Sequence, residues 1–221
     1  MSRALRPFGV IALVAALARA ADVTGENCGH IPESGQRCSG MLEYVLVVDN
    51  SWSLHERYEE LSEFMRRVVD SFQLDVQSPF SPRVSIVTLS GAGSEPPSKH
   101  SQVLHPLSGN SGSLNNAIDK RPAPTREKGF TCISCGLDLA ASIIKSTGRS
   151  EAKPMVMVLT DGEQTVWGGN PAAVGSADAL KDSGVDVVAL SLGANSIPAA
   201  CKRPISPLSS SPLSETQCAV S

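Results

Sequence analysis

Short apolar runs alternate along residues 43–192 with segments of helical periodicity. Four valine-rich runs, 44–48, 84–89, 155–159 and 185–190, predict buried strands. Runs that are apolar at nearly every position are typical of strands with both faces buried, as in the centre of a parallel sheet. A more polar run at 101–107 predicts an edge strand.

Apolar residues spaced three and four apart predict the helices between these strands. One stripe consists of Leu61, Phe64, Met65, Val68 and Phe72, and a second of Ile133, Leu137, Ala140, Ala141 and Ile144. A weaker helix is predicted over 172–182, with Gly184 as its stop signal, and a short one over 114–119. Strands that alternate with helices indicate an α/β fold of parallel strands covered by helices.

The first 20 residues have the pattern of a cleaved secretory signal. Arg3 and Arg6 precede the apolar stretch 8–17, and the small residues Ala18 and Ala20 flank Arg19 before the predicted cleavage point. The apolar stretch is far shorter than the roughly 20 residues that cross a bilayer as a helix, and no later segment is long and apolar enough. We therefore expect a secreted, extracellular protein without a membrane span.

Composition limits the class of protein. With 221 residues, of which 41% are hydrophobic, the chain can bury one core of ordinary size. Loss of residues 1–20 removes three arginines and no acidic residue, so the formal net charge changes from −3 to −6. An acidic chain of this kind is a poor match for nucleic acid or for anionic lipid.

Six cysteines in an exported chain indicate disulfides. They are Cys28, Cys38, Cys132, Cys135, Cys201 and Cys218, and six cysteines allow 15 pairings. Cys132 and Cys135 form a Cys-x-x-Cys motif, for which a structural bridge is favoured and a redox pair is the alternative. Zinc binding by this pair would need two more ligands, and the other cysteines lie in distant flanks.

Polar side chains follow two of the predicted strands where each ends. Asp49, Ser51 and Ser53 follow the first strand in "LVVDNSWS", and Asp161 follows the strand at 155–159 in "VLTDGE". Thr131 lies in a loop just before the second helical stripe. Ligands of open parallel sheets gather at the carboxyl ends of the strands, so these five residues are expected at one sheet edge. An all-oxygen set of hydroxyls and carboxylates selects Mg²⁺, Mn²⁺ or Ca²⁺ over zinc.

This pattern resembles the von Willebrand factor type A domain, also called the integrin I domain, and its metal-ion-dependent adhesion site. The family has Asp-x-Ser-x-Ser after the first strand, a threonine in a middle loop and an aspartate in a Thr-Asp-Gly turn. Those positions here are Asp49, Ser51, Ser53, Thr131 and Asp161. The resemblance implies a doubly wound, Rossmann-like, mostly parallel sheet flanked by helices.

The resemblance also implies a function. The divalent cation, Mg²⁺ or alternatively Mn²⁺ or Ca²⁺, would keep one coordination position open for an acidic group of a protein or extracellular-matrix partner. We therefore expect a secreted adhesion or binding module and not an enzyme. Trp52 and Glu163, which lie in the same two loops as the expected ligands, are candidate contacts with the partner.

The sequence departs from the family after the last predicted strand. Three prolines between Pro204 and Pro212 forbid a regular helix where the family has its terminal helix, so that helix is expected to be missing. This leaves a signal peptide at 1–20, a cysteine-containing lead at 21–40, the type A domain at 41–193 and a Pro/Ser-rich, cysteine-containing tail at 194–221. An irregular tail covers the sheet, or the chain is a piece of something longer.

Other interpretations of the same residues remain open. Asp49 and Ser51 could form only a polar turn in a domain without metal. Ser51 or Ser53 could be a nucleophile with His55 as its base, although the Gly-x-Ser-x-Gly elbow of one hydrolase class is absent. A disulfide-active or hydrolytic secreted enzyme is therefore the alternative function.

Overall fold

The computed structural model describes residues 40–91, 100–126, 129–166 and 168–192. These ranges contain, in order, β1 (Leu42–Asp49), α1 (Tyr58–Asp70), β2 (Arg83–Leu89), β3 (Gln102–Ser108), α2 (Ser111–Asp119), α3 (Ile133–Thr147), β4 (Lys153–Thr160), α4 (Gly169–Asp182) and β5 (Asp186–Ser191). A short 3-10 helix, Trp52–Arg57, leads into α1. The predicted signal peptide, nearly all of the lead, the tail and the question of a terminal helix lie outside the described residues.

The five strands form one sheet in the order β3-β2-β1-β4-β5. β1 pairs in parallel with β2 and β4, and β4 pairs in parallel with β5, whereas the edge strand β3 is antiparallel to β2. All eight residues of β1 are buried, as expected for the central strand of a sheet covered on both sides. The predicted α/β fold with a mostly parallel sheet is confirmed.

Side chains of β1 alternate between two hydrophobic cores, because successive residues of a strand point to opposite faces. Val45 and Val47 pack on the side covered by α3 and α4. Leu46 and Val48 pack on the side covered by α1 and α2. The sheet is therefore doubly wound, and Asp49 continues the row of side chains that faces α3.

The amino end of β1 carries a buried ionic cluster. Glu43 is 1% exposed, and its carboxylate accepts hydrogen bonds from Arg83 Nη2 at 2.7 Å and Arg149 Nε at 2.5 Å. Arg149 Nη2 also donates to the Ser81 carbonyl at 2.9 Å. Two arginines thus compensate one buried acid and join β1, β2 and the segment before β4 at the end of the sheet opposite Asp49.

A search of the described helices finds none that combines the length and the apolar character needed to cross a membrane.

Candidate functional site

The predicted metal ligands that follow the first and fourth predicted strands meet at the carboxyl edge of the sheet. β1 ends at Asp49 and β4 ends at Thr160, and the two strands are parallel neighbours. Ser53 Oγ donates to Asp161 Oδ1 at 3.0 Å, and the hydroxyls of Ser51 and Ser53 lie 2.9 Å apart. Hydrogen bonds therefore join residues that lie 108 positions apart in the sequence.

Asp49 forms the buried base of this group. Ser51 donates its backbone N–H to Oδ1 at 2.8 Å, and Thr160 donates its hydroxyl to Oδ2 at 2.7 Å. Desolvation raises the pKa of Asp49 from 3.8 to about 6, because full burial of the carboxylate outweighs the hydrogen bonds that stabilise its charge. Asp49 is consequently a charge that the fold holds at an energetic cost.

Thr131 reaches the same edge from the loop before α3. Its backbone N–H donates to Thr165 Oγ1 at 2.9 Å, and the Thr165 N–H donates to the Thr131 carbonyl at 3.0 Å. The Trp52 N–H donates to the Gly129 carbonyl at 3.3 Å. The Thr131 loop is thus tied both to the turn that contains Asp161 and to the loop that contains Ser51, Trp52 and Ser53, called here the serine loop. The hydrogen bonds that link the other four predicted ligands do not include the Thr131 hydroxyl.

The spacing of these oxygens fits a small divalent cation. In an octahedral site with Mg–O bonds of 2.0–2.1 Å, neighbouring oxygens lie about 3 Å apart. The distances from Ser53 Oγ to Ser51 Oγ and to Asp161 Oδ1 are 2.9 and 3.0 Å. In the described ranges, no cluster of three or more His, Cys, Asp or Glu side chains could hold a metal, so a site here must use the hydroxyls.

The predicted partner contacts border the site. Trp52 is half-buried, its ring stacks on His55 with centroids 4.0 Å apart, and the Arg126 guanidinium carbon lies 5.1 Å from its centroid. Glu163 is half-buried in the turn that follows Asp161. Trp52, a candidate partner contact, therefore packs in part against its own loop.

His55 does not approach the serine hydroxyls as a catalytic base would. Its Nδ1 lies 2.7 Å from the Trp52 carbonyl oxygen, and its Nε2 lies 3.8 Å from a Glu56 carboxylate oxygen. Both ring nitrogens thus have partners other than Ser51 and Ser53.

Cys132 and Cys135 are joined by a disulfide beside Thr131. Cys132 is fully buried and Cys135 is 7% exposed, and both pack against Val166. The bridge links the N-cap of α3 to its first turn and places a covalent ring directly after the predicted ligand. The predicted disulfide cysteines 28, 38, 201 and 218 lie outside the described residues.

A buried arginine that the sequence did not reveal supports the serine loop through Asn50. Arg121 is 3% exposed and donates to Asn50 Oδ1 at 3.1 Å, while Asn50 Nδ2 donates to the Pro122 carbonyl at 3.1 Å. Arg121 also donates to the Tyr58 carbonyl at 2.8 Å. Burial lowers the pKa of Arg121. Nothing in the sequence around Arg121 marks it as a partner of Asn50. Thr160 directly precedes Asp161, and this position was a sequence signal for a role at the site.

Comparisons with known proteins agree with this architecture. The family model for the von Willebrand factor type A domain matches residues 44–205. The chain resembles the solved structure of proximal thread matrix protein 1 from the mussel byssus, with 23% identity and a TM-score of 0.54 over 70% of this chain and 36% of that one. It also resembles the conserved hypothetical protein BatB from Bacteroides thetaiotaomicron, with 22% identity and a TM-score of 0.53 over 68% of this chain and 66% of that one.

A third similar structure is the pilus adhesin SpaC from Lactobacillus rhamnosus GG in its open conformation. The identity is 21% and the TM-score 0.51, over 70% of this chain and 24% of that one. The matched region thus spans less than two thirds of each of these three proteins. A search of curated protein sequences finds no match.

Proposed function

Because the chain belongs to the von Willebrand factor type A domain family, we propose that it is an extracellular binding module that uses a divalent cation to hold an acidic group of a partner. The observation that carries this proposal is the set of hydrogen bonds linking Asp49, Ser51, Ser53 and Asp161 at one sheet edge. The partner is a protein or a matrix component that presents an aspartate or glutamate side chain. Mg²⁺ is the proposed ion, with Mn²⁺ or Ca²⁺ as alternatives.

The residues divide into direct and indirect ligands. Ser51, Ser53 and Thr131 offer neutral hydroxyl oxygens to the cation. Asp49 is fully buried with both oxygens engaged, so it acts through the hydrogen bonds that it makes to the Ser51 loop. A bound cation supplies positive charge that these ligands leave partly uncompensated, and a carboxylate from a partner can complete its coordination.

Two further features support a binding module over the enzymatic alternatives. The buried Cys132–Cys135 bridge favours bracing of the Thr131 loop, because exchange with another thiol requires access to sulfur. The ring nitrogens of His55 contact Trp52 and Glu56, which argues against His55 as the base of a serine nucleophile. The similar structures of a pilus adhesin and of a thread matrix protein fit the same class of function. The signal pattern of residues 1–20 supports secretion.

Metal binding is the first test. Isothermal titration with Mg²⁺ and Mn²⁺ should show binding to the unmodified chain, a loss of at least tenfold in Asp161→Asn and no measurable binding in Asp49→Ala. Glu163→Gln is the matched control, because it removes the same charge from the same turn and should stay within threefold. Circular dichroism verifies the fold of each variant. Undiminished binding in both aspartate variants would contradict the assignment.

Partner chemistry is the second test. The immobilised chain is used to select from a phage-displayed library of random peptides in Mg²⁺ and again in EDTA. Clones that depend on the metal should carry an aspartate or glutamate, and Asp161→Asn should recover none of them. Peptides recovered equally well in EDTA, or without acidic residues, would rule out metal-mediated recognition of an acidic group.

A further inference from the structure

We propose that Arg126 forms a second anionic subsite beside the metal position, so that the preferred partner segment carries two acidic residues. One carboxylate would bind the cation and the other the Arg126 guanidinium. This inference rests on the proposed function and adds to it a specificity-determining residue and a requirement on the partner.

The Arg126 guanidinium lies beside the motif that supplies the predicted ligands. Trp52 lies between the predicted ligands Ser51 and Ser53, and the Arg126 guanidinium carbon lies over its ring at 5.1 Å. A guanidinium within about 6 Å of an indole centroid is attracted by the ring quadrupole. The Trp52 ring is itself held by its stacking on His55. These ring contacts therefore hold the Arg126 guanidinium next to the serine loop.

The backbone reinforces this placement. The Trp52 N–H donates to the Gly129 carbonyl, and the Gly129 N–H donates to the Arg126 carbonyl, both at 3.3 Å. A side chain at Gly129 would place its Cβ 2.8 Å from Trp52 Cβ, so the two loops are in close contact. The Arg126 backbone and the serine loop consequently form one unit of the site.

Among the arginines that the structure describes, Arg126 is the one whose guanidinium has no described oxygen partner. Each of the other arginines in the described ranges donates to a protein oxygen; they are Arg57, Arg66, Arg67, Arg83, Arg121 and Arg149. The Arg126 side chain is exposed, and within those same ranges the contact of its guanidinium is the one with the Trp52 ring. Ring contact leaves the N–H donors of a guanidinium available, and their planar fork matches a carboxylate.

A second acidic group on the partner also fits the distribution of charged side chains around the site. A partner carboxylate at the cation must approach Asp161 and Glu163, which are both acidic and both half-buried at the edge of the site. Arg126 offsets that repulsion on the serine side of the site. A partner with one acid gains only the metal bond, whereas a partner with two gains a charge-assisted hydrogen bond as well.

The experiment compares Arg126→Gln with Arg67→Gln, which removes the same charge from an exposed arginine near the end of α1. Metal-dependent peptides selected on the unmodified chain should share two acidic residues at a fixed spacing. A synthetic peptide of that sequence should bind Arg126→Gln about tenfold more weakly, or about 1.4 kcal/mol, and Arg67→Gln equally well. Mg²⁺ affinity by titration should be the same in all three proteins.

A double-mutant cycle assigns the contact. Replacing the second acid of the peptide by its amide should weaken binding to the unmodified chain about tenfold and should not affect binding to Arg126→Gln. If metal-dependent peptides carry a single acid and bind both proteins alike, the second subsite is refuted while the proposed function stands. If no metal-dependent acidic peptide is found, the proposed function itself fails.

Discussion

Asp49 is the residue in which hydrogen bonding and burial oppose each other. Ser51 and Thr160 each donate to its carboxylate, yet desolvation dominates and raises its pKa to about 6. A raised pKa in an acid means that the folded protein binds this proton more tightly than the unfolded chain does. The metal-free fold is therefore under electrostatic strain at neutral pH.

The first prediction concerns the metal-free protein in EDTA. Protonated Asp49 contributes stability that is fully present below about pH 4 and is lost as the pH rises through about 6. One pKa unit corresponds to about 1.4 kcal/mol, so the free energy of unfolding should fall by about 3 kcal/mol from this group. Urea denaturation at several pH values measures the change. In Asp49→Asn this pH-dependent part of the unfolding free energy should vanish. If the variant keeps the pH profile of the unmodified chain, burial of Asp49 is not the source of the pH dependence.

At the residue scale, the sequence placed the candidate ligands at one sheet edge but did not reveal the residues that support them. Asp49 and Asp161 follow apolar strands, and position at a strand end is visible in the pattern. Asn50 and Arg121 lie 71 positions apart, and their contact depends on how a loop folds behind α1. Neither periodicity nor a motif marks such a contact, so the buried arginine was not predictable.

At the element scale, α3 determines how closely the Thr131 loop approaches the sheet. Gly136 lies in the first turns of α3, where an added Cβ would come within 2.6 Å of Val47 Cγ1 and 3.0 Å of Leu89 Cβ. The missing side chain allows the helix to pack directly on β1 and β2. The helical stripe predicted α3 correctly, but the sequence does not show how closely this helix packs on the sheet.

The second prediction uses two glycines that lie in helices. Gly136→Ala should destabilise the fold by about 1–3 kcal/mol because α3 must move away from the sheet. Gly175→Ala is the control, since nothing lies within 4 Å of its added Cβ in α4, and it should stabilise by about 0.5–1 kcal/mol. Chemical denaturation measures both. Equal effects of the same sign would contradict the packing argument.

The strands were predictable to within a few residues, because buried runs of valine, leucine and isoleucine are distinctive. The direction of β3 was not predicted. Its residues are half exposed, and its pairing with β2 has register shifts between Val84 and Ile86 and between Ile86 and Val87. An edge strand with mixed polarity gives no sequence signal for parallel or antiparallel pairing.

At the scale of the whole molecule, the buried ionic cluster and the candidate site lie at opposite ends of β1. Glu43 anchors the ionic cluster at one end and Asp49 the candidate site at the other, about 20 Å away by the rise of a strand. The two groups share no hydrogen bond in the described residues. They should therefore be separable by substitution.

The third prediction tests this separation. Glu43→Gln should cost about 3 kcal/mol, since it leaves Arg83 and Arg149 without their buried acid, while Mg²⁺ affinity of the folded protein stays within threefold. Glu60→Gln, an exposed change on α1, should alter neither quantity. Denaturation and titration are run on the same samples. A parallel loss of metal affinity in Glu43→Gln would reveal coupling along β1.

The pairing of β1 with β4 also determines when the site can form during folding. Leu42 pairs with Lys153, so the central strand remains without one neighbour until most of the domain has been synthesised. Contacts this distant in sequence require costly loop closure and slow the folding of a chain. A nascent chain that ends before β4 already contains the serine loop, but it has neither Thr160 to bind Asp49 nor Asp161 to bind Ser53. The candidate site is therefore among the last parts of the domain to assemble, and an incomplete chain lacks the contacts that complete it.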